Sequence, residues 1–433
     1  MKGGNGVDYQ AFIAGKTRAI KPDGIEPLLF PDKLRDDQGL VTDRALRHGK
    51  YAIFADCGLG KTIDELEFAR QVANLEGPVL ILAPLCVGVQ TVAMGKQFGY
   101  EVNACKGPDD LRDGINITNY DRLAKFEGII PKLAGIVLDE SSILKSIDGK
   151  LRTFILSAFR RTPRRLACTA TPAPNDYMEL GNHAEFLGIS TRQEMLATYF
   201  VHDGGDTSKW RLKGHAEAAF WQWVNEWSTT YRKPSDLSAD FSDAGFALPT
   251  LELHTHTLPY TGAEDGKLFV TEDGGLSGFR KIKRSTITER VGKAAELVDA
   301  APGAWVAWAE LNAEADALVA ALPGAQQLRG ADSIERKEEI LWAFTRGEIE
   351  RLVTKHKITS FGLNWQHCHN TLFVGPSHSY EQTYQAIKRF HRFGQLEKVD
   401  AHFIMSDAEY GVWKNMLRKF AQHDIMREAL TCA

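Results

Sequence analysis

Short runs of almost continuously apolar residues alternate with amphipathic helical patterns along most of this chain. Strands of that kind are typical of a parallel sheet that helices cover on both faces. The pattern therefore predicts an α/β fold with two parallel-sheet lobes and a partly helical insertion between them. The predicted strands are Tyr51–Ala55, Val79–Ala83, Ile115–Thr118, Gly135–Leu138 and Leu166–Thr169 in the first half, and Trp305–Trp308, Leu352–Thr354, Thr371–Val374 and Ala401–Met405 in the second.

The stretch from about residue 185 to 290 lacks this alternation and is rich in Trp and Gly. It is predicted to be helical around Phe220–Trp227 and rich in loops around Lys233–Pro249. A length of 433 residues leaves room for two to three domains. The predicted division is an N-terminal extension over 1–24, a first lobe over 25–188, a connecting region over 189–290 and a second lobe over 291–433.

Two helical patterns predict side-chain roles. Asp332 and Glu335 could form a capping box at the start of a helix over Asp332–Phe344. Trp223 and Trp227 lie four residues apart and share a helix face, which favours a place in the core over a platform on which bases stack.

The bulk composition excludes several classes of protein. No run of eighteen apolar residues exists and the N-terminus lacks the apolar core of a secretory signal, so we expect no membrane span and a cytoplasmic location. The 6 cysteines form no C-x-x-C pair, which argues against a disulfide framework or a zinc ribbon. The segment His367-Cys368-His369 lacks a fourth ligand at a suitable spacing and is not interpreted as a metal site.

The formal net charge of −4 does not by itself indicate a nucleic-acid-binding protein. Any such contact must come from local basic patches, and for each patch a merely solvated face is an equally good interpretation. One patch comprises Arg160, Arg161, Arg164 and Arg165, and the other comprises Arg280, Lys281, Lys283 and Arg284.

The segment ADCGLGKT, residues 55–62, follows an apolar strand and opens a helical pattern. That context is what a phosphate-binding loop requires, because glycines such as Gly58 and Gly60 let backbone N–H groups turn towards phosphate oxygens at a helix N-terminus. In such a loop Lys61 contacts the β- and γ-phosphates and the Thr62 hydroxyl is a ligand of Mg²⁺. The first position, Ala55, departs from the usual glycine.

An apolar strand ends in the acidic pair Asp139 and Glu140 about 80 residues further on. In α/β proteins, ligands bind at this end of the strands. Together with the glycine-rich segment, the pair predicts that Asp139 holds Mg²⁺ and that Glu140 orients and deprotonates a water molecule. A chance acidic pair that only caps the next helix is the alternative.

The segment YQAIKRFHRFGQ, residues 384–395, resembles the QAxxRxHRxGQ motif of the Swi/Snf-like branch of helicase superfamily two. Its spacing predicts that Arg389 and Arg392 lie on one helical face. The resemblance implies two RecA-like lobes with ATP between them, an ATP contact for Gln385, and two arginines directed at the γ-phosphate. The compact middle region is similar to that of small helicase-like proteins of phages and prophages.

Other segments resemble further motifs of that family, over roughly residues 28–406. Gln38 matches the glutamine that binds the adenine edge. Several residues match positions on the nucleic-acid track, and the TATP segment at 169–172 also matches the motif that links this track to the ATP site. The track residues are Pro84, Asn119, Tyr120, Thr169 and Thr171 in the first lobe, and Ser360 and Asn364 in the second.

Three functions are compatible with these residues. The first is an ATP-dependent motor that moves on nucleic acid, with duplex DNA as the expected partner and with ATP and Mg²⁺ as cofactors. The second is a helicase that separates strands of DNA or RNA. The third is a nucleotide-gated DNA-binding module that recruits a protein partner such as a nuclease or a modification enzyme.

Overall fold

The structure is a computed structural model that describes residues 20–84, 87–145, 149–203, 206–260, 275–356 and 365–432. It divides into two compact units. The first runs to Asp243 and includes the chain again from His423, and the second spans Ala244–Gln422. Each unit contains one parallel sheet.

The sheet of the first unit has 7 strands in the order β3-β4-β2-β5-β6-β1-β9, all parallel. Every residue of β2, β4 and β5 is buried, so both faces of the sheet are covered in this region. The strands are β1 Lys50–Ala55, β2 Val79–Ala83, β3 Val102–Ala104, β4 Ile115–Asn119, β5 Gly135–Asp139, β6 Arg164–Cys168 and β9 Ser228–Tyr231, with an antiparallel hairpin formed by β7 Phe200–Asp203 and β8 Asp206–Leu212.

Most helices of the first unit connect successive strands of its sheet. A long 3-10 segment, Tyr120–Lys132, follows β4, and shorter 3-10 turns lie at Pro108–Asp110, Ser141–Lys145, Tyr177–Glu179, Gly214–Ala216 and Pro234–Asp236. The α-helices are α1 Asp36–His48, α2 Lys61–Leu75, α3 Val87–Phe98, α4 Lys150–Ala158, α5 Leu180–Leu187, α6 Arg192–Tyr199 and α7 Glu217–Asn225.

The sheet of the second unit has 6 parallel strands in the order β10-β15-β14-β11-β13-β12. Its strands are β10 Leu251–Leu258, β11 Trp305–Ala309, β12 Gln326–Gln327, β13 Arg351–Thr354, β14 Asn370–Val374 and β15 Val399–Ser406. Its helices are α8 Gly275–Ser285, α9 Ile287–Ala300, α10 Asn312–Ala321, α11 Ile334–Thr345 and α12 Tyr380–Ile387. A 3-10 turn at Asp407–Glu409 and α13 Tyr410–Cys432 follow β15. The residues of α13 from His423 onwards belong to the first unit. Among the described helices, none has both the length and the apolar character that crossing a bilayer demands.

The nine strands predicted from apolar runs are all present. The region 189–290, predicted as a connecting region, contains one strand of each sheet: β9 belongs to the first and β10 to the second. β9 has the sequence STTY and is wholly buried, so its polarity conceals it from a search for apolar runs. Two of its four hydroxyls are hydrogen-bonded: Ser228 Oγ donates to Val224 O at 2.8 Å, and Thr229 Oγ1 lies 2.8 Å from Tyr51 Oη.

Two helix predictions can be compared with the structure. The capping box at Asp332 is wrong, because α11 begins two residues later, at Ile334, and Ser333 is its N-cap, accepting a hydrogen bond from Arg336 N. Asp332 instead accepts a hydrogen bond from Arg329 N at 2.7 Å. The core position of the tryptophans is confirmed, since Trp223 and Trp227 are buried against the first sheet's core and their rings meet edge to face at 5.4 Å.

A fully buried ion pair joins α9 to α10 in the second unit. Arg290 Nη2 lies 2.7 Å from Glu314 Oε1, and neither side chain is exposed to solvent. Glu314 Oε2 also accepts hydrogen bonds from the backbone N–H groups of Glu310 and Leu311, at 3.0 and 2.8 Å. One carboxylate therefore caps α10 and neutralises a buried guanidinium.

We predict that Glu314→Gln lowers the free energy of unfolding by about 3–5 kcal/mol, because it leaves Arg290 buried and unpaired. The matched control is Asp316→Asn on the same helix. The exposed ion pair of Asp316 with Arg329 should contribute less than about 1 kcal/mol to the free energy of unfolding. Urea denaturation followed by tryptophan fluorescence measures both. Equal losses for the two variants would contradict this account of the ion pair.

Candidate functional site

Three of the predicted motifs lie at one edge of the first sheet. β5, β6 and β1 are neighbours and parallel, so their carboxyl ends lie side by side. The glycine loop, residues 56–60, follows β1, the acidic pair ends β5, and the TATP segment follows β6. This edge is the position at which open α/β sheets bind ligands.

The glycine loop has the backbone shape that its sequence predicts. Gly58 and Gly60 have φ angles of 91° and 90°, in the left-handed region that favours glycine. Gly60 is the N-cap of α2, and a Cβ atom there would lie 2.5 Å from Gln38 Nε2. The loop therefore leads directly into a helix N-terminus, where backbone N–H groups lack partners within the helix and favour an anion.

Lys61 is held inside the loop. Its Nζ donates hydrogen bonds to the carbonyl oxygens of Ala55 at 2.8 Å and Asp56 at 3.2 Å. Burial opposes the charged form, but the negative charges of Cys57, Glu140, Asp56 and Asp139 outweigh it and raise the pKa of Lys61 above its ordinary value. The loop thus encloses a permanent positive charge.

Residues that precede α1 and lie in its first turn support the loop from the other side. Gln38 is buried and donates through Nε2 to Gly60 O at 3.3 Å. Arg35 donates to Leu59 O at 2.7 Å while its guanidinium pairs with Asp37 through two bonds, of 2.9 and 2.8 Å. The structure therefore places Gln38 beside the loop. Arg35 also contacts the loop, although no sequence pattern indicates this contact.

The C-terminal end of the chain also contacts this edge. Arg427 Nη2 lies 2.8 Å from Asp56 Oδ2 in the glycine loop, and both side chains are buried. His423 Nε2 donates to Ala170 O in the TATP segment at 3.2 Å. The Arg427–Asp56 pair spans 371 residues of sequence, so no local pattern could have indicated it.

Buried carboxyl groups crowd the end of β5. Burial and the neighbouring charge of Glu140 raise the pKa of Asp139 to about 7. Burial, followed by the charge of Asp139, raises the pKa of Glu65 on α2 well above its ordinary range. The hydroxyl of Tyr120 donates to Asp139 O at 2.6 Å and fixes the backbone there. The surroundings of this edge therefore do not compensate the charge that these carboxyl groups would carry if all were ionised.

Glu140 has an unusual backbone conformation. Its φ of 53° is the only positive value among the described non-glycine residues. Such a conformation costs free energy and persists where the surroundings enforce it, often at functional positions. Thr169 Oγ1 lies 3.4 Å from Glu140 Oε2 and accepts a hydrogen bond from Thr171 N at 3.1 Å. The TATP segment is thereby linked to the acidic pair.

The predicted track residues of the first unit lie at or beside strand ends on this same edge. Asn119 Oδ1 accepts from Arg122 N at 3.1 Å, so this side chain caps the following 3-10 segment. Thr171 is fully buried and Pro84, which follows β2, is half-buried. Ser360 and Asn364, predicted for the second lobe, lie outside the described residues.

In the second unit, the arginine segment differs from its prediction. α12 ends at Ile387, so Arg389 and Arg392 lie in turns beyond the helix and do not share a helical face. The backbone changes to shorter-range bonds there, from Arg389 N to Ala386 O at 3.2 Å and from Phe390 N to Ile387 O at 3.0 Å. Gln385 remains on the helix and is half-buried, as both arginines are.

Other residues of the motif hold these turns in place. Gln395 is buried and donates to Cys368 O at 3.1 Å and to Phe390 O at 3.3 Å. His391 Nε2 donates to Pro249 O at 2.7 Å, and Trp365 N donates to Arg389 O at 3.0 Å. Part of this sequence pattern is thus explained by the need to fix a turn that carries two arginines.

The first unit offers oxygen donors that suit a hard divalent cation. Mg²⁺ prefers carboxylate and hydroxyl oxygens. Asp139 and Glu140 supply adjacent carboxylates whose mutual repulsion a cation would relieve, and Thr62 supplies a hydroxyl in the first turn of α2. Thr62 and Asp139, the predicted Mg²⁺ ligands, are thus oxygen donors of the kind that this ion prefers.

No protein-family model matches this chain, and a search of curated proteins finds no match either. The resemblance to helicase superfamily two therefore depends on the motif residues alone.

The glycine loop yields a first test. We predict that Gly60→Ala lowers the free energy of unfolding by about 1–3 kcal/mol, because alanine is strained at this φ and its Cβ meets Gln38. Gly39→Ala in α1 is the control, since nothing lies within 4 Å of its Cβ position and alanine favours a helix by about 1 kcal/mol. A midpoint of thermal unfolding that shifts in the same direction in both variants would contradict the loop geometry.

The acidic pair yields a second test. A carboxyl whose folded pKa is about 7, against an ordinary value of 3.8, destabilises the fold increasingly as pH rises between those values. Asp139→Asn should therefore stabilise the protein by a few kcal/mol at pH 8 and by much less near pH 4. Denaturant titrations of both proteins across this range measure the difference. A gain that is independent of pH, or a loss at pH 8, would refute the burial of an uncompensated charge.

Proposed function

We propose that this protein is an ATP-dependent motor on nucleic acid, a hydrolase that uses two RecA-like lobes to move along duplex DNA. One observation carries the proposal. A lysine ammonium is enclosed by a glycine loop at a helix N-terminus, and a carboxylate pair ends a nearby strand at the same sheet edge. Cation, backbone N–H groups and acids in that arrangement are what binding and hydrolysis of a nucleoside triphosphate require.

Under this proposal the loop binds the phosphates. Lys61 exchanges its bonds to the Ala55 and Asp56 carbonyls for bonds to phosphate oxygens, and the N–H groups around Gly58 and Gly60 contact the same group. Thr62 and Asp139 would hold Mg²⁺, which would supply positive charge opposite the phosphate oxygens. Bound ATP would supply the phosphoanhydride bond that is broken.

Glu140 is proposed as the general base that orients and deprotonates water. Its backbone has a positive φ of 53°, and Thr169 Oγ1 lies 3.4 Å from its carboxylate. A change in the TATP segment would therefore affect the Glu140 carboxylate. This contact supports the coupling between the ATP site and the nucleic-acid track that the family resemblance implies.

Arg389 and Arg392 are proposed to contribute positive charge to the γ-phosphate in the transition state. Arginines in that role raise rates about 10³–10⁵-fold. The buried Gln395 and the bond from His391 to Pro249 keep this segment in a defined shape, which supports a role that needs fixed placement.

We predict distinct defects for three variants in DNA-stimulated ATP hydrolysis. Lys61→Ala should abolish turnover and weaken nucleotide binding, whereas Glu140→Gln should lower turnover by about 10²–10⁴-fold and retain bound ATP. Arg392→Ala should also retain binding and lose about 10³-fold or more in rate. Steady-state kinetics and equilibrium binding of a fluorescent ATP analogue measure these quantities.

Matched controls separate these roles from general damage. Lys96→Ala and Arg346→Ala remove exposed cations, the first from α3 and the second from the turn after α11, and should leave turnover unchanged. Undiminished hydrolysis in any of the three site variants would contradict the role assigned to that residue. If Lys96→Ala were as inactive as Lys61→Ala, the glycine loop would not be the phosphate site.

A further inference from the structure

A second group of polar side chains lies far from the glycine loop in sequence, on the outermost pair of strands of the second sheet. β10 carries Glu252, His254 and His256 at alternate positions, and β15 carries Asp400 and His402 in the same spacing. Alternate residues of a strand face the same side. The parallel register pairs Glu252 with Asp400 and His254 with His402, so all five side chains lie on one face.

Three of these side chains converge. His254 Nε2 lies 2.6 Å from Asp400 Oδ1 and 3.6 Å from Glu252 Oε2, and the three ligand atoms are all within 4.8 Å of one another. Two donors around a tetrahedral Zn²⁺, each about 2.0–2.1 Å from the ion, lie about 3.3 Å apart. The separations of 2.6 and 3.6 Å between His254 Nε2 and the two carboxylate oxygens bracket that value. Among the described residues, no other trio of His, Cys, Asp or Glu side chains converges in this way.

The remaining two histidines hold this arrangement. The ring of His402 stacks on that of His254 at 4.6 Å with an interplanar angle of 17°, and on that of His256 at 5.3 Å with an angle of 24°. His256 Nε2 and His402 Nδ1 are 3.0 Å apart, as expected for two neutral imidazoles of which one donates and one accepts. His402 is therefore a positioning residue for His254, and its pair with His256 lies directly beside the converging trio.

We propose that Glu252, His254 and Asp400 form a Zn²⁺ site, which we call the edge-strand site. One nitrogen and two oxygen donors match the ligand preference of this ion, and a water molecule would complete its tetrahedral set. β10 is hydrogen-bonded to the sheet only through β15, so an ion held by both strands would fasten the edge strand. The inferred role is structural, and it does not depend on the proposed motor activity.

Lys398 provides a competing cation. Its Nζ lies 3.1 Å from Glu252 Oε2 and 3.0 Å from Asp400 Oδ1. The alternative to a metal site is that this ammonium alone neutralises the two carboxylates. Zn²⁺ would have to displace it, which makes the lysine a sensitive probe: removing it should strengthen metal binding and leave every proposed ligand in place.

The test is calorimetric titration of Zn²⁺ into the full chain after treatment with a chelator and dialysis, with Co²⁺ absorption as a second readout. We predict one equivalent bound in the micromolar range or tighter, with a rise in thermal midpoint on saturation. His254→Ala and Asp400→Asn should each weaken binding at least about tenfold, whereas Lys398→Met should tighten it. His215→Ala, which removes an exposed histidine of the first unit, is the control and should bind as the original protein does.

Absence of saturable Zn²⁺ binding would overturn the proposal, as would full binding by His254→Ala or Asp400→Asn. Circular dichroism checks that these variants are folded. Lys398→Met keeps every proposed ligand, so it tests the site without relying on a loss of binding that misfolding could cause. Unchanged Zn²⁺ affinity in this variant would show that the carboxylates are not ligands. None of these readouts uses ATP, so failure here is distinguishable from failure of the proposed function.

Discussion

The bond between the Lys61 ammonium and the carbonyl groups of its own loop is the interaction on which the candidate site depends. It is possible only because Gly58 and Gly60 adopt left-handed conformations, which turn the loop around the lysine. The enclosed charge is in turn what allows Asp139 and Glu140 to be packed nearby, since it lowers the pKa of Asp139 against the effect of burial. Loop and acids are therefore parts of one electrostatic unit.

The glycine loop and the acidic pair together lower the stability of the fold. Asp139 is buried with a raised pKa, Glu65 is buried beside it, and Glu140 has a backbone angle that strands do not adopt. Features that lower stability and cluster at one sheet edge are typical of functional sites, where binding or chemistry requires them. The surrounding contacts that enforce the arrangement include the guanidinium of Arg35 and the buried pair of Arg427 with Asp56.

The sequence predicted those features that arise from local pattern. Apolar runs predicted nine strands, and the glycines before Lys61 predicted the loop. β9 was missed because its residues all carry hydroxyl groups although they are buried, and Arg427 was missed because its partner is 371 residues away. The helical placement of Arg389 and Arg392 failed because spacing alone does not reveal that α12 ends at Ile387. Long-range pairing and helix ends depend on tertiary contacts, which spacing does not encode.

The central claim is that the glycine loop and the acidic pair hydrolyse ATP in response to nucleic acid. It is tested most directly by steady-state ATP hydrolysis by the purified chain with Mg²⁺, without polymer and with single-stranded DNA, duplex DNA or RNA, repeated across salt concentrations. The account predicts hydrolysis that duplex DNA stimulates most strongly, with stimulation that falls as salt rises because the contacts are to phosphates. Hydrolysis at the background rate with every polymer would contradict it.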